Sequence, residues 1–362
     1  MKSSRKSNVR YADVGIDVDK IKVIQNSIGK SIKNTHFLPK KGKVISGFGH
    51  YAGLIEFNNN IISLHTDGVG SKILVSQAMN KYDTIGIDCI AMNVNDTVCL
   101  GATPVGYLSY IALEKTNDNL LKEITKGLVK GAKMSNIAIV GGETAILSDI
   151  ITGQRKDHNF DLAGMVLGIL ENKKKMILGN NIKPGDVIIG IKSSGIHSNG
   201  LTLARKVLLK QYDIADKPDF INKSIGAELL TPTAIYSNVI LKIVEKFRTR
   251  IHGLAHITGG AFTKLKRLNE HVDYVLDDMP VINGIFKQIM VDGNISEKEM
   301  YRTFNMGIGF CIIAARESAD EIIETIHAEK MKAIIIGHIR KNGRGNSFIK
   351  SANNKGTSVI LT

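Results

Sequence analysis

Hydrophobic and polar positions along the chain predict short strands followed by amphipathic helices. An apolar run predicts a strand over residues 61–66, and the residues after the next glycine-rich turn predict a helix over 72–80. Within residues 83–100, apolar side chains recur at positions 87, 90, 91, 94 and 98, which is the spacing of one helix face. Asp88 and Asn95 share a different face of that helix, seven residues apart.

The same kind of pattern continues to the end of the chain. In the first half it predicts strands over 104–113, 137–140 and 160–170, a helix over 119–134, and a turn over 141–144. In the second half it predicts a strand over 187–191, a strand at the start of the segment 252–268, helices over 201–210, 234–247 and 261–268, a buried strand after 309 and a final strand pair. Strands and helices alternate in both halves, so each half is expected to be an α/β (α+β) domain.

A polar segment over residues 171–186, ending in a Pro-Gly-Asp turn, marks a change in composition. We place the domain boundary there, which predicts an N-terminal domain over 1–171 and a C-terminal domain over 172–362. A chain of 362 residues is long enough for two domains of ordinary size.

Composition narrows the class of protein. The chain is 43% hydrophobic and has no apolar run near the ~20 residues that span a bilayer, so we expect no membrane partner. Three widely spaced cysteines and a basic start without an apolar segment favour a reduced, cytoplasmic location. The net charge of +14 is spread along the chain and aromatic residues are only 6%, so nucleic acid is an unlikely partner and anionic metabolites fit better.

The turn after the first predicted strand carries one carboxylate and one lysine among glycines. Gly68 and Gly70 would let backbone N–H groups approach an anion, and Lys72 opens a helix. Asp67 would repel a phosphate unless a cation lay between them, so Asp67 and Lys72 together make sense with Mg²⁺. An ordinary turn with incidental charges is the alternative.

Two further carboxylates could join Asp67. Asp96 lies on the flank of a mostly apolar helix and should not be buried without a partner, and Glu143 follows a predicted strand as Asp67 does. Ligands of α/β proteins bind where strands end, so the three acids could converge at one sheet edge. Three unrelated surface acids remain the alternative. Asp88 is expected to be solvated or to cap a helix.

Two Ser/Thr/Gly-rich loops precede helices in the second half. In "SSGIHSNG" (193–200), hydroxyl and amide donors could bind an anion and His197 could accept a proton near neutral pH. "HITGG" (256–260) repeats the theme with Thr258, Gly259 and Gly260. Each loop could equally be a helix cap, since Ser, Thr and Asn are common at that position.

Several strings occur in a fixed order between residues 11 and 309: "YADVGIDV", "GFG", "TDGVGSK", "DTIGIDCIAMNVND", "GATP", "VGGET", "SSGIHSNG", "AHITGG" and "YRTFNMGIG". This set resembles the AIR synthetase family over nearly the whole chain. "SSGIHSNG" and "YRTFNMGIG" are specific to that family. The pattern Asp96-x4-Gly-Ala-x-Pro resembles the wider superfamily, which includes selenophosphate synthetase and thiamine-monophosphate kinase.

The resemblance implies a two-domain fold whose N-terminal domains pair in a homodimer, with ATP bound near that interface. It implies ATP-dependent ring closure of formylglycinamidine ribonucleotide to 5-aminoimidazole ribonucleotide, ADP and phosphate, a ligase reaction of purine biosynthesis. ATP and Mg²⁺ would be the cofactors. The reaction needs a positioned γ-phosphate and a folded substrate rather than a covalent nucleophile.

The resemblance also implies roles for individual residues. Asp67, Asp96 and Glu143 would bind Mg²⁺, and Lys72, Asp96 and His197 would be catalytic. The residues implied in binding ATP or its phosphates are Gly47, Phe48, Gly49, Asp67, Gly68, Gly70, Ser71, Lys72 and Asn95. Those implied in binding the substrate phosphate are Ser194, Ser198, Asn199, Gly200, Thr258, Gly259 and Gly260.

Three other functions stay open on the sequence. Another kinase or synthetase of the superfamily would share the phosphate-handling residues. A non-catalytic nucleotide sensor would keep the fold, although the retention of Asp67, Lys72 and Asp96 argues against it. A polyanion-binding protein would use the positive net charge and would release RNA as salt rises.

Overall fold

The structure is a computed structural model that describes residues 11–46, 49–341, 343–350 and 358–361. Two mixed sheets lie one after the other along the chain. The first has six strands in the order β1-β2-β3-β6-β4-β5, and the second has seven in the order β13-β12-β9-β11-β7-β10-β8. The mixed α/β, two-domain architecture expected from the sequence is therefore confirmed.

The elements of the N-terminal half are α1 (Val18–Lys33), β1 (Lys43–Val44), β2 (Gly53–Phe57), β3 (Asn60–Gly68), α2 (Lys72–Met79), α3 (Ile85–Val98), β4 (Thr103–Leu113), α4 (Asp118–Ser135), β5 (Ala138–Ile146) and β6 (Phe160–Leu170). Most of the predicted elements are present within two residues of their expected bounds. A short 3₁₀ turn at Tyr11–Val14 precedes α1.

Helix α3 lies at the centre of the molecule. It contacts β3 and β6 of the first sheet on one side and α4 on the other. All fourteen of its residues are buried. Gly86 permits the close approach to α4, because a Cβ atom there would lie 2.1 Å from the backbone nitrogen of Leu128. Because α3 is buried on every side, its polar side chains face other parts of the protein rather than solvent.

The other face of the first sheet is exposed and apolar. Leu108 and Tyr110 on β4 and Ile169 on β6 share this face, and each is more than one third exposed. Single exposed apolar residues are common, whereas a row of them across neighbouring strands marks a contact surface.

Strand β5 corrects two predictions. The expected buried strand over 137–140 and turn over 141–144 are wrong, since Ala138–Ile146 is one strand and most of it is exposed. Gly142 is needed for close packing rather than for a turn, because a Cβ atom there would lie 2.3 Å from the carbonyl oxygen of Ser109 on β4. Glu143 therefore lies within the strand, not after it.

The elements of the C-terminal half are β7 (Val187–Lys192), α5 (Leu201–Leu208), α6 (Ile225–Leu229), α7 (Ser237–Phe247), β8 (Ile251–His256), β9 (Asp273–Leu276), α8 (Gly284–Asp292), α9 (Glu297–Thr303), β10 (Ile308–Ala314), α10 (Ala319–Ala328), β11 (Ala333–Arg340), β12 (Ser347–Lys350) and β13 (Ser358–Leu361). The helix predicted after the Gly-Gly turn is a 3₁₀ helix, Ala261–Arg267.

The polar segment 171–186 runs between the last strand of the first sheet and the first strand of the second. The domain limits 1–171 and 172–362 stay a prediction. Among the helices in the described part of the chain, none is both long and apolar enough to cross a membrane.

Candidate active site between the two sheets

The end of β3 is fixed by α3. The backbone N–H of Asp67 donates to Asn93 Oδ1 at 3.1 Å, and Asn93 Nδ2 donates back to the Asp67 carbonyl oxygen at 3.1 Å. Asp67 Oδ1 accepts from the Gly68 N–H at 2.8 Å. A side-chain amide paired with a strand backbone holds the carboxylate in one place.

Asp96 lies near the end of α3 and reaches the second domain. Its Oδ1 is 2.7 Å from His256 Nδ1 on β8, and its Oδ2 is 3.6 Å from His65 Nε2 on β3. The expectation that Asp96 would be buried with a partner is confirmed, with 5% of the residue exposed. The Asp96–His256 hydrogen bond therefore joins the N-terminal and C-terminal halves of the chain.

His256 is held as a neutral donor. Its Nε2 is 3.4 Å from Asn95 Nδ2, which can only donate, so we assign the ring proton to Nδ1, facing Asp96. Burial lowers the pKa of His256 below its usual value, against the opposing effect of Asp96. Burial acts to raise the pKa of Asp96, but the His256 hydrogen bond and the charge of Lys264 hold it at about 2. Asp96 is thus a carboxylate at neutral pH.

Asp67 and Asp96 form a pair of like charges. Burial and the Asp96 charge raise the pKa of Asp67, opposed by His65. Two carboxylates that destabilise each other in a buried site would be stabilised by a cation between them. Carboxylate oxygens are the ligands Mg²⁺ prefers, so this pair fits the ion. Within the described residues, no group of three or more His, Cys, Asp or Glu side chains is arranged to hold a metal.

Glu143 does not join that pair within one chain. Asp67 is level with Gly164 and Ser109 across the sheet, whereas Glu143 is level with Tyr110. Neighbouring positions of a strand point to opposite faces, so Glu143 points to the exposed face, three strands or about 14 Å from Asp67. Its carboxylate accepts from the Thr144 N–H at 2.7 Å. The expected convergence of three acids at one sheet edge is wrong for this chain, because β5 continues past Glu143.

Lys72 and Asp88 pair inside the protein. Lys72 Nζ is 2.8 Å from Asp88 Oδ1 and 2.6 Å from the Thr231 carbonyl oxygen, and both side chains are fully buried. The expectation that Asp88 would be solvated or a cap is wrong, because its partner comes from a helix sixteen residues earlier. The ammonium group of Lys72 already has two acceptors, so a contact with ATP phosphates gains no support from this geometry.

Asp88 also holds the second domain. The N–H and Oγ1 of Thr233 each donate to Asp88 Oδ1 at 2.7 Å, and Ser198 Oγ lies 3.3 Å from the same oxygen. Ser198 Oγ is also 2.9 Å from Thr233 Oγ1. The hydroxyl group of Ser198, implied in phosphate binding, is therefore occupied by a contact between the two domains.

Asn95 makes a second attachment about two turns further along the same face of α3 as Asp88. Its Nδ2 donates to the Ala234 carbonyl oxygen and its Oδ1 accepts from the Tyr236 N–H, both at 2.8 Å. Asp88 and Asn95 thus bind the segment 231–236 at two points. The predicted ATP contact of Asn95 would have to compete with these bonds.

His197 is a buried structural residue in this geometry. Its Nε2 accepts from the Ser194 N–H at 3.1 Å and from the Ala234 N–H at 3.5 Å, and burial lowers its pKa well below the usual value. The lone pair that a general base would use is thus already bound. Its role as a proton acceptor stays a prediction, and the geometry favours a role in holding loop 193–200 instead.

The two Ser/Thr/Gly-rich loops meet. A Cβ atom on Gly259 would lie 3.3 Å from Asn199 Nδ2, so these residues are in contact. Gly260 has φ +83° and Gly200 has φ +79°, both in the left-handed region that favours glycine. A larger residue at Gly200 would also collide with Phe304. Asn199, Thr258, Gly259 and Gly260 therefore lie together beside His256 and Asp96.

Other predicted residues lie apart from this group. Ser194 Oγ donates to the Pro232 carbonyl oxygen, and Ser194 lines a cavity of about 660 Å³ to which Asn199 and Thr258 contribute nothing. Ser71 Oγ accepts from Thr202 at 2.8 Å. Gly70 and Gly49 have positive φ angles of +67° and +104°. Gly47 and Phe48, implied in binding ATP, lie outside the described residues.

Lys264 is the site residue that sequence reasoning missed. It follows the Gly-Gly turn within the 3₁₀ helix, donates to Thr258 Oγ1, and acts by its charge on both Asp96 and Asp67. It stands in the run "TKLKR", where three neighbouring basic residues look like an ordinary surface face. The sequence signal that could have identified Lys264 is its position six residues after Thr258, in the first turns of the helix that follows a predicted anion-binding loop.

Fold and site together define a protein with two α/β domains and a pair of carboxylates next to glycine-rich loops at the domain junction. The chain belongs to the AIR synthase related family: the N-terminal domain of that family matches residues 49–170, and its C-terminal domain matches residues 183–350.

Individual relatives narrow the comparison. The chain is 46% identical over 335 residues to phosphoribosylformylglycinamidine cyclo-ligase of Methanocaldococcus jannaschii, covering 91% of this chain and 92% of the relative. It is 44% identical over 319 residues to the protein of that name from Pyrococcus furiosus, covering 88% and 91%. A solved structure of hydrogenase maturation protein HypE in complex with ATP shares the fold, with a TM-score of 0.60, 19% identity, and 83% and 85% of the two chains covered.

Proposed function

We propose that this protein catalyses the ATP-dependent cyclisation of formylglycinamidine ribonucleotide to 5-aminoimidazole ribonucleotide, ADP and phosphate, in the cytoplasm and as a step of purine biosynthesis. The observation that carries the proposal is the cluster at the domain junction, where the buried Asp96 contacts His256 at the start of the Thr258–Gly260 loop, and that loop contacts Asn199. Relatives that share over 40% of its residues across the chain carry the name of this cyclo-ligase.

The reaction needs phosphoryl transfer and then ring closure. The formyl amide oxygen attacks the γ-phosphorus of ATP and ADP leaves. A nitrogen of the amidine then attacks the formyl carbon. The bond between that carbon and the phosphorylated oxygen breaks, and inorganic phosphate departs with the oxygen. No covalent nucleophile is required. The thiols fit that conclusion, because Cys89, Cys99 and Cys311 are buried and burial raises the pKa of each, that of Cys89 to about 12.

We propose that Asp67 and Asp96 would hold Mg²⁺, which when bound offsets the charge of ATP phosphates. The chain itself supplies the surroundings. His256 keeps Asp96 ionised and aimed at the junction, and Asn93 keeps Asp67 in place. The N–H groups and side chains around Asn199 and Thr258–Gly260 suit a phosphate group on either ligand.

The origin of the released oxygen tests ring closure. With substrate carrying ¹⁸O in its formyl group, we expect the label in inorganic phosphate, and ADP, phosphate and 5-aminoimidazole ribonucleotide in equal amounts. Mass spectrometry of the phosphate and chromatography of the products measure both. Label in water, or a stable phosphorylated product, would contradict the proposal and favour a kinase of the same superfamily.

We also propose that the exposed apolar face of the first sheet pairs two copies of the chain. Its exposed side chains include Leu108, Tyr110 and Ile169, which lie on the two neighbouring strands β4 and β6. The hydrophobic effect favours an association that removes such a row from water, so a sheet face of this kind suits a homodimer interface.

A charge on that face should separate the copies. We expect Leu108→Asp with Tyr110→Asp to give a monomer at concentrations where the unmodified protein is a dimer, because a buried unpaired carboxylate is strongly unfavourable. Sedimentation velocity measures the change. Val291→Asp on α8 replaces a more exposed apolar residue outside the face and should leave the dimer intact. A monomeric unmodified protein would refute the pairing.

A further inference from the structure

Lys264 brings a positive charge to the carboxylate pair from the second domain. It lies in the 3₁₀ helix Ala261–Arg267, and its ammonium group is hydrogen-bonded to Thr258 Oγ1. The ammonium nitrogen also lies 5.7 Å from the centroid of the Tyr51 ring. These contacts place it between the Thr258–Gly260 loop and the junction that holds Asp96.

The other lysine expected at this site is committed elsewhere. Lys72 is fully buried against Asp88 and the Thr231 carbonyl oxygen. Lys264 instead donates to Thr258 Oγ1, two residues from His256, whose Nδ1 is 2.7 Å from Asp96 Oδ1. It is therefore the lysine that the folded chain brings to the loops suited to phosphate.

Two unsatisfied polar atoms nearby indicate that the site is built for a ligand. Asn199 Oδ1 and Tyr51 Oη are buried and have no hydrogen-bond partner among the described protein atoms. A buried polar atom without a partner is unfavourable, which a native protein tolerates where a bound molecule supplies the bond. Asn199 contacts Gly259, and the Lys264 ammonium group lies over the Tyr51 ring.

We propose that Lys264 is the phosphate-binding cation of this active site, contacting phosphate oxygens held by the Thr258–Gly260 loop. The inference rests on the proposed function, since the phosphate belongs either to ATP or to formylglycinamidine ribonucleotide. Both ligands offer the same chemistry to an ammonium group, namely anionic oxygens that accept charge-assisted hydrogen bonds.

Binding measurements on two ligands separate the sources. Calorimetric titration would use a non-hydrolysable ATP analogue with Mg²⁺ in one arm and formylglycinamidine ribonucleotide alone in the other. We expect Lys264→Met to weaken one of these ligands at least tenfold, which identifies the phosphate that Lys264 contacts. Lys264→Arg should restore most of that affinity because it keeps the charge. Lys266→Met, two residues away in the same helix, should leave both affinities within twofold.

The counter-ion alternative is tested in the Asp96→Asn background. If Lys264 only neutralises the charge of Asp96, adding Lys264→Met to the Asp96→Asn protein will not change the affinity for either ligand. If Lys264 binds phosphate, the tenfold loss of affinity remains. Unchanged affinity of Lys264→Met for both ligands would overturn the inference while leaving the proposed function intact. Failure of the unmodified protein to bind either ligand would instead count against the proposed function. Should Lys264→Met not fold, Lys264→Gln provides the same comparison.

Discussion

Replacing Asp96 with asparagine is expected to lower kcat by about a hundredfold or more, because it removes a preorganised charge at the site of phosphoryl transfer. The substitution preserves size, and Asn Oδ1 can still accept the His256 Nδ1–H bond that now measures 2.7 Å. The fold should therefore survive while the charge is lost. Steady-state release of phosphate with saturating ATP, Mg²⁺ and substrate measures the effect.

Asp320→Asn is the matched control for Asp96→Asn. Asp320 is exposed at the start of α10, so kcat should stay within twofold. Circular dichroism and thermal unfolding of the Asp96→Asn protein should match those of the unmodified protein. A kcat near normal at saturating Mg²⁺ would remove Asp96 from the set of functional carboxylates.

The second large effect concerns stability. Asp88→Asn is expected to destabilise the protein by about 3–5 kcal/mol, because it leaves the Lys72 ammonium group buried without its carboxylate. Burial already lowers the pKa of Lys72, so neutralisation of the lysine is the least unfavourable response. Denaturant unfolding measures the loss of stability. Far-UV circular dichroism is the suitable probe, because the chain has no tryptophan for fluorescence.

The double substitution Lys72→Met with Asp88→Asn separates the ion pair from the rest of the network. Removing both charges should be less destabilising than the sum of the two single substitutions, because no unpaired charge remains. The Asn side chain can still accept one of the bonds from Thr233. Strict additivity would show that the ion pair contributes nothing beyond its separate members.

An unchanged KM for ATP in the Lys72→Met protein would confirm that Lys72 does not bind phosphate.

The sequence predicted most of the fold because its signals are local. The helix α3 follows from the recurrence of apolar residues between 87 and 98, and β3, β4 and β6 follow from apolar runs. Strand β5 was cut short because Gly141 and Gly142 resemble a turn in sequence. The reason for a glycine at 142, the closeness of Ser109 on the neighbouring strand, exists only in the folded chain.

The candidate site was predicted in part for the same reason. Asp67, Asp96 and the Thr258–Gly260 loop could be singled out, since each breaks a local pattern with a polar group. The partners of Asp96 and Asp88 could not, because His256 lies 160 residues from Asp96 and Thr233 lies 145 residues from Asp88. Such pairs depend on how the two sheets are placed, which spacing within one sequence does not encode.

The two attachment points on α3 also restrict how ligands reach the site. Asp88 and Asn95 are seven residues apart, or about 10 Å along the helix axis, and both bind the segment 231–236. A hinge opening of one domain away from the other would break these buried hydrogen bonds together with the Asp96–His256 contact. We therefore expect the domain junction to behave as a rigid frame, so that ligands bind and leave without separation of the two domains.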